Sequence, residues 1–425
     1  MALLIKNGIV VNPVSGTEKR QDVRIEGSLV AKLGENLPEE GAEVIDASGC
    51  YVMPGFIDLH VHLRDPGLTY KEEIKTGAAA AAHGGFTTIL AMPNTKPAAD
   101  CAEVIRYVHE KAAAEANIHV LQVGAVTKGQ AGKELADIPG MKAAGSPAIS
   151  EDGKSVMNAQ LCKEGMKLAA EHDMVVLAHC EDINMVNGGV MNEDANAKRL
   201  GMKGISNAVE DVIAARDILL AKETGARLHL CHCSTKDSVK MVRLAKEAGI
   251  SVTAEVCPHH FTLCSDDIRS DDANFKMNPP LRTREDRDAL RQGLAEGIMD
   301  VISTDHAPHA AKEKAKSIAD APFGIVGLET AAALAYTELV KTGLLSITGM
   351  AEKMSANPAK ILGIDRGEIA EGKAADLVVF DTREPYTIDP SAFLSKGKNT
   401  PFGGREVYGE AVLTVCDGTI AYEKA

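Results

Sequence analysis

Missing from this chain are the features that would tie it to a membrane, a nucleic acid or an oxidising compartment. Its nine cysteines include no Cys-x-x-Cys pair, and their odd number and irregular spacing fit reduced, buried thiols better than a disulfide framework. No basic block offsets a formal net charge of -14, which argues against nucleic acid or an anionic membrane as partner. Any anionic substrate must then be held by local positive charge. Outside Gly77–Met92 no apolar run approaches membrane length, and there His83, Gly84 and Gly85 interrupt it as a capped helix would. The N-terminus breaks into an Asn7-Gly8 turn after one short apolar run, unlike a signal peptide. The expectation is a soluble, cytoplasmic protein.

What is present has two textures. Residues 1–53 carry short Val/Ile/Leu runs at Leu3–Ile5, Ile9–Val11, Val23–Ile25 and Val44–Ile45, separated by turn residues. From Gly55 to about residue 365, apolar strands alternate with amphipathic stretches such as Asn158–His172, Asn207–Thr224 and Lys236–Ala248. Candidate strands end near His62, Met92, Val126, Ser150, His179, His232, Glu255 and Asp305. Eight such repeats predict an α/β fold, a (β/α)8 TIM barrel over 54–365. The tail reverts to strands at Leu377–Phe380, Ala411–Asp417 and Thr419–Tyr422. Neither end carries enough strands for its own core, so 1–53 plus 366–425 are expected to form one small β-sandwich domain.

Polar residues cluster at the strand ends, where such a barrel keeps its active site. His60 and His62 alternate onto one face of the first strand, about two rises of ~3.3 Å apart. Asp152 follows the fourth strand, His179 the fifth, His232 the sixth and Asp305 the eighth. Alternation turns His179, His232 and Asp305 inward with Leu177, Leu230 and Ser303, and turns His229 toward the helices in a structural role. Any His-x-His alone could be two hydrogen-bonded core histidines, but four histidines and two carboxylates at one rim suit two divalent ions. Such a pair can activate a water and polarise a carbonyl, the layout for amide hydrolysis. His83, His109, His119 and His172 read as surface or satisfied core residues, Cys233 and Cys257 as packing, and His259 and His260 stay open.

Asp58-Leu59-His60-Val61-His62-Leu63-Arg64-Asp65-Pro66-Gly67, Ala91-Met92-Pro93-Asn94-Thr95, Ser150-Glu151-Asp152-Gly153, Ala178-His179-Cys180-Glu181-Asp182, His232-Cys233-Ser234-Thr235, Asn278-Pro279-Pro280-Leu281-Arg282 and Ser303-Thr304-Asp305-His306-Ala307-Pro308-His309 together resemble the dihydroorotases, of the long bacterial type, within the amidohydrolase superfamily. The resemblance spans nearly the whole chain. It implies two Zn2+ per subunit, one on His60, His62 and Asp305 and the other on His179 and His232, with Asp152 bridging. It further implies that Arg64, Asn94 and His309 receive the substrate carboxylate, while Asn278 and the backbone of Phe323 and Gly324 contact the pyrimidine ring. The implied reaction is reversible hydrolysis of (S)-dihydroorotate to N-carbamoyl-L-aspartate in pyrimidine biosynthesis, with Asp305 as the catalytic proton shuttle.

Relatives often carry two aspartates where this chain has Glu151-Asp152, so Glu151 is the alternative bridge. Dihydropyrimidinases, hydantoinases and allantoinases share the barrel but normally bridge their metals with a carboxylated lysine; Arg64 and Asp152 argue against them. A non-catalytic relative would have lost ligands, and none is missing here. Family members are commonly homodimers, and some associate with aspartate carbamoyltransferase. The stretch 310–321 reads equally as a short solvated helix or as a lid over the substrate.

Overall fold

Leu377-Val378-Val379-Phe380 is apolar at every position because both of its faces are covered. The computed structural model, which describes residues 2–424, shows why. Before residue 55 the chain forms β1 (Ala2–Lys6), β2 (Ile9–Asn12), β3 (Thr17–Arg20), β4 (Asp22–Glu26), β5 (Leu29–Gly34), β6 (Ala42–Asp46) and β7 (Tyr51–Pro54). One sheet has the order β5-β4-β1-β6. The other joins both ends of the chain in the order β21-β20-β19-β7-β2-β3, where β19 is Leu377–Thr387, β20 Glu406–Cys416 and β21 Thr419–Glu423. Leu3, Ile5, Val23 and Ile25 of the first sheet share a core with Val10, Val52, Leu377, Val379 and Val415 of the second. The alternate residues Val11, Met53, Val378 and Phe380 face the opposite way, into the large core of the chain's middle. There Phe380 meets Phe56 edge-on at 6.3 Å, and Phe56 meets Phe86 at 5.7 Å.

The middle of the chain is α/β with parallel sheets. β8 (Phe56–Val61), β9 (Phe86–Ala91) and β10 (His119–Gln122) form one; β11 (Gly124–Ala125), β12 (Ala148–Ser150), β13 (Val175–Ala178), β16 (Arg227–Leu230), β17 (Val252–Val256) and β18 (Val301–Ile302) form the other. The short pair β14 (Met191–Asn192) and β15 (Gly204–Ile205) lies in a connection. Val61 makes a parallel bridge to His306, just beyond β18, so the outer strand of the first sheet touches the chain leaving the last strand of the second. Helices fill the connections and start where the sequence provides caps. Asn158 accepts from the amides of Gln160 and Leu161, Thr235 from Ser238, and Thr283 with Asp286 closes a capping box. No helix among the described residues is long and apolar enough to cross a membrane.

The parallel strands sort their side chains by alternation. Ile57, Leu59, Leu90, Val175, Leu177, Cys231 and Val301 meet on one face, while Val176, Leu228, Leu230, Ala254 and Ile302 face the helices. This corrects the expectation for β16. Leu228 and Leu230 point to the helices and His229 to the inner face, where it is fully buried with Nδ1 2.8 Å from Thr253 Oγ1 and Nε2 3.0 Å from Glu255 Oε2.

Candidate metal and substrate site

Apart from His60 in β8, the site is made by chain leaving the strands rather than by the strands. β16 stops at Leu230 and β18 at Ile302, and His232 and Asp305 follow with φ of 34° and 48°; Arg64, after β8, has φ 60°. Non-glycine residues seldom adopt this left-handed region, and where they do the surroundings over-determine it. Alternation along the sixth strand therefore does not bring His232 to the site; a backbone turn does.

The six candidate ligands converge. His60 Nε2 lies 3.1 Å from Asp152 Oδ1 and 3.5 Å from Asp305 Oδ1, and His62 Nε2 lies 3.0 Å from Asp305 Oδ1 and 3.5 Å from Asp152 Oδ2. On the other side of Asp152 Oδ1 stand His179 Nδ1 at 3.4 Å and His232 Nε2 at 3.8 Å, these two nitrogens being 2.8 Å apart. All six residues are buried. Glu151 is turned away, accepting from the amide and hydroxyl of Thr127, so Asp152 is the carboxylate that faces the histidines.

Whether these residues suit metal ions can be judged from their own bonding. Glu255, fully buried, lies 2.9 Å from His60 Nδ1 and also accepts from the amide of His232. With the Nδ1 proton committed there, His60 Nε2 keeps its lone pair toward Asp152 and Asp305 and makes no hydrogen bond. Two facing imidazole nitrogens at 2.8 Å share at most one proton, so at least one of His179 and His232 likewise presents a lone pair to the same spot, and Glu181 beside His179 Nε2 can take the other proton of that ring. Imidazole and carboxylate in this mixture match divalent zinc-type ions, and the set fits.

Beside the cluster opens a cavity of about 200 Å³ lined by Arg64, Asn94, Gly153, Asn278, Ala307, His309, Phe323 and Gly324 together with His62, Asp152, His179, His232 and Asp305. Every residue expected to touch substrate is on its wall. They are not equally free. Asn94 accepts from His62 Nδ1 and donates to Asp152 Oδ2 at 3.1 Å. His309 has Nε2 2.7 Å from the carbonyl of Phe323 and Nδ1 3.1 Å from Lys71 Nζ, so both ring nitrogens are taken by the protein. Burial, with Arg64 nearby, pushes His309 down to about 3 and keeps it neutral. Arg64 is different: buried, it spends only Nε, on the carbonyl of Pro308 at 3.3 Å, and among the described residues neither Nη has an acceptor.

Two carboxylates escaped sequence reasoning as site residues. Glu181 lies 3.2 Å from His179 Nε2 and accepts from Asn278 Nδ2 at 2.9 Å. Glu255 was visible only as a strand end; its signal was a carboxylate inside the apolar run Val252–Val256, which folds only with buried partners. The stretch 310–321 holds the helix Ala311–Lys314 and is anchored, with Ile318 buried and its amide 2.5 Å from Asp271 Oδ1.

Parallel α/β strands ending in a buried histidine–carboxylate cluster beside a polar cavity define a metal-dependent hydrolase of the amidohydrolase kind. Solved structures agree: the chain superposes on a dihydropyrimidinase from Brevibacillus agri NCHU1002 with a TM-score of 0.88 at 26% identity, covering 100% of this chain and 95% of that one. An L-hydantoinase from Arthrobacter aurescens gives 0.88 at 27%, covering 100% and 96%. Residues 49–238 match the Dihydro-orotase-like family model. Over 100% of this chain and 99% of the relative, it is 49% identical to a dihydroorotase of Bacillus caldolyticus and 47% identical to one of Bacillus cereus strain B4264. The chain belongs to the dihydroorotase family.

Proposed function

We propose that the chain catalyses reversible ring opening of (S)-dihydroorotate to N-carbamoyl-L-aspartate, a step of pyrimidine biosynthesis, on two Zn2+ ions. The observation that carries this reading is the unpaired Arg64 fork on the cavity wall next to the histidine–carboxylate cluster. Two parallel N–H donors in a buried pocket suit a carboxylate, which dihydroorotate has and dihydrouracil, hydantoin and allantoin lack. It also answers how a protein of net charge -14 takes an anion.

His60, His62 and Asp305 would hold one ion, His179 and His232 the other, and Asp152 both. When bound, such ions supply a nucleophile at neutral pH and polarise the scissile carbonyl. Asp305 then moves the proton: its Oδ1 sits beside the histidines while the side chain borders the cavity, so it can take a proton from the attacking water and deliver it to the leaving ring nitrogen. Arg64 binds the substrate carboxylate, helped by the second Nδ2 proton of Asn94. Asn278, with its amide held by Glu181, and the Phe323–Gly324 backbone face the ring; His309 acts by holding Phe323. Among the described residues no lysine lines the cavity, which favours Asp152 over a carboxylated lysine as bridge.

The same reading assigns the eight parallel strands, with β10 and β11 as one, to a single closed (β/α)8 barrel over 54–365, joined across Val61 and His306. The remaining segments, 1–53 and 366–425, form the composite sandwich domain around their shared core. Ring opening measured on dihydroorotate, dihydrouracil, hydantoin and allantoin tests the function. Turnover of dihydroorotate alone is expected; preference for an uncharged ring would refute it.

A further inference from the structure

Lys314 ends the helix Ala311–Lys314 and is 9% exposed, yet among the described residues no carboxylate pairs with it. Its Nζ donates instead to three carbonyls, those of Lys276 at 3.2 Å, Pro322 at 3.2 Å and Gly324 at 2.9 Å. An ammonium has three protons, so its donor capacity is filled. Burial, with Lys276 nearby and Asp272 opposing, pushes its pKa down to about 7. Stability alone would be served better by an apolar side chain, because an ion held by neutral dipoles in a buried site gives up its hydration.

The three acceptors belong to two segments of chain that border the substrate cavity and touch each other. Lys276 lies two residues before Asn278, and Pro322 and Gly324 flank Phe323. The same segments are stitched by the Gly324 amide on the Lys276 carbonyl at 3.0 Å and by His309 on the Phe323 carbonyl. Asn399 bonds the carbonyls of Gly324 and Ala307, each at 3.1 Å. Gly324 has φ 127°, and a Cβ there would stand 2.7 Å from Ala307 Cβ, so the loop sits against the strand-eight segment without slack.

We propose that Lys314 is a positioning residue for ring opening: its ammonium ties the segment leading to Asn278 to the Phe323–Gly324 loop, and so holds the part of the cavity wall that fits the substrate ring. This rests on the dihydroorotase reading above. Removal of Lys314 leaves the Gly324 carbonyl to Asn399 and the Lys276 carbonyl to the Gly324 amide, so of the three acceptors only Pro322 is orphaned and the fold is expected to survive.

The test is steady-state kinetics of Lys314→Met and Lys314→Ala on dihydroorotate, with metal content and melting temperature measured alongside. Expected is a KM raised roughly 10–100-fold, the scale of a misplaced binding wall, with kcat within about fivefold, wild-type metal content and no loss of melting temperature. A cavity of about 280 Å³ lined by Lys314, His309, Lys396, Lys398 and Asn399 adjoins the site, so methylammonium should enter Lys314→Ala and restore KM saturably. Tetramethylammonium, without an N–H, should not. Unchanged KM in both variants, a fall in kcat with KM intact, no difference between the two amines, or loss of folded protein in both variants overturns the assignment. Wild-type protein inactive on dihydroorotate sinks the functional reading instead; active wild type with indifferent variants sinks Lys314 alone.

Discussion

Replacing Glu255 by Gln changes one atom and breaks a junction. Glu255 serves His60 Nδ1 at 2.9 Å, His229 Nε2 at 3.0 Å and the His232 amide at 3.0 Å, all three in fully or almost fully buried surroundings. A glutamine has one acceptor oxygen and an NH2 that can only donate, so one imidazole must lose its acceptor or flip its tautomer. If His60 flips, its proton moves to Nε2 and the lone pair that faces Asp152 is gone. Partners that orient ligating histidines are worth about 10–100-fold in metal affinity, or roughly 1.4–2.8 kcal/mol. Losing one charge-assisted hydrogen bond adds about 1.5–3 kcal/mol of destabilisation. Zinc competition against a chelator and chemical denaturation of metal-free protein separate the two effects. Zinc affinity within about threefold of wild type would contradict the flip of His60 and place it on His229, whose Nδ1 can turn its proton to Thr253.

Asp305→Ala should lower turnover by roughly 10²–10⁴-fold, whereas Arg64→Ala should raise KM for dihydroorotate and keep its metal; retention of a tenth of wild-type turnover by Asp305→Ala would contradict the shuttle. Asp152→Asn should lose affinity for both ions, since a neutral amide cannot balance two dications, and metal analysis that instead found the loss in Glu151→Gln would move the bridge. Phe380→Ala removes the ring between the sandwich sheet and Phe56 and should cost about 3–5 kcal/mol in denaturation, with kcat little changed in the protein that remains folded. For Lys314, the folded pKa of about 7 lies below the unfolded value of ~10.4, so the unfolded chain binds more protons between them. Its contribution to stability therefore rises with pH across that window, and denaturation midpoints of wild type minus Lys314→Met should climb from pH 7 to pH 10; a flat difference would contradict it.

The sequence was most legible where one local pattern had one structural solution. The amphipathic stretches opening at Asn158 and Lys236 are helices from Ala159 and Lys236, and apolar runs marked the parallel strands to within a few residues. β3, Thr-Glu-Lys-Arg, was invisible because it is an edge strand with solvated charges, paired only with β2. His229 was misplaced because the alternation was counted back from His232, and the φ of 34° at His232 breaks that count. The convergence of His60, His62, Asp152, His179, His232 and Asp305 was readable because His60 lies at the end of a strand, and the other five just after one, in the parallel strands of the middle of the chain. Glu255 was not singled out, since a carboxylate bound to a histidine 195 residues away leaves no local spacing to read; Glu181 stands only two residues from His179, and what marks it, its bond to Asn278 97 residues on, required the fold. That His309 and Asn94 are committed to protein partners, leaving Arg64 as the free fork, required side-chain geometry.

The central claim, a two-metal site bridged by an aspartate and used on dihydroorotate, is tested most directly by stripping the metal and re-loading zinc in carbon-dioxide-free buffer while counting bound ions and following dihydroorotate ring opening. A lysine bridge would need carbon dioxide to form; Asp152 is already a carboxylate. Full activity at about two zinc ions per chain without bicarbonate is the expected result. Recovery only when bicarbonate is added would contradict it.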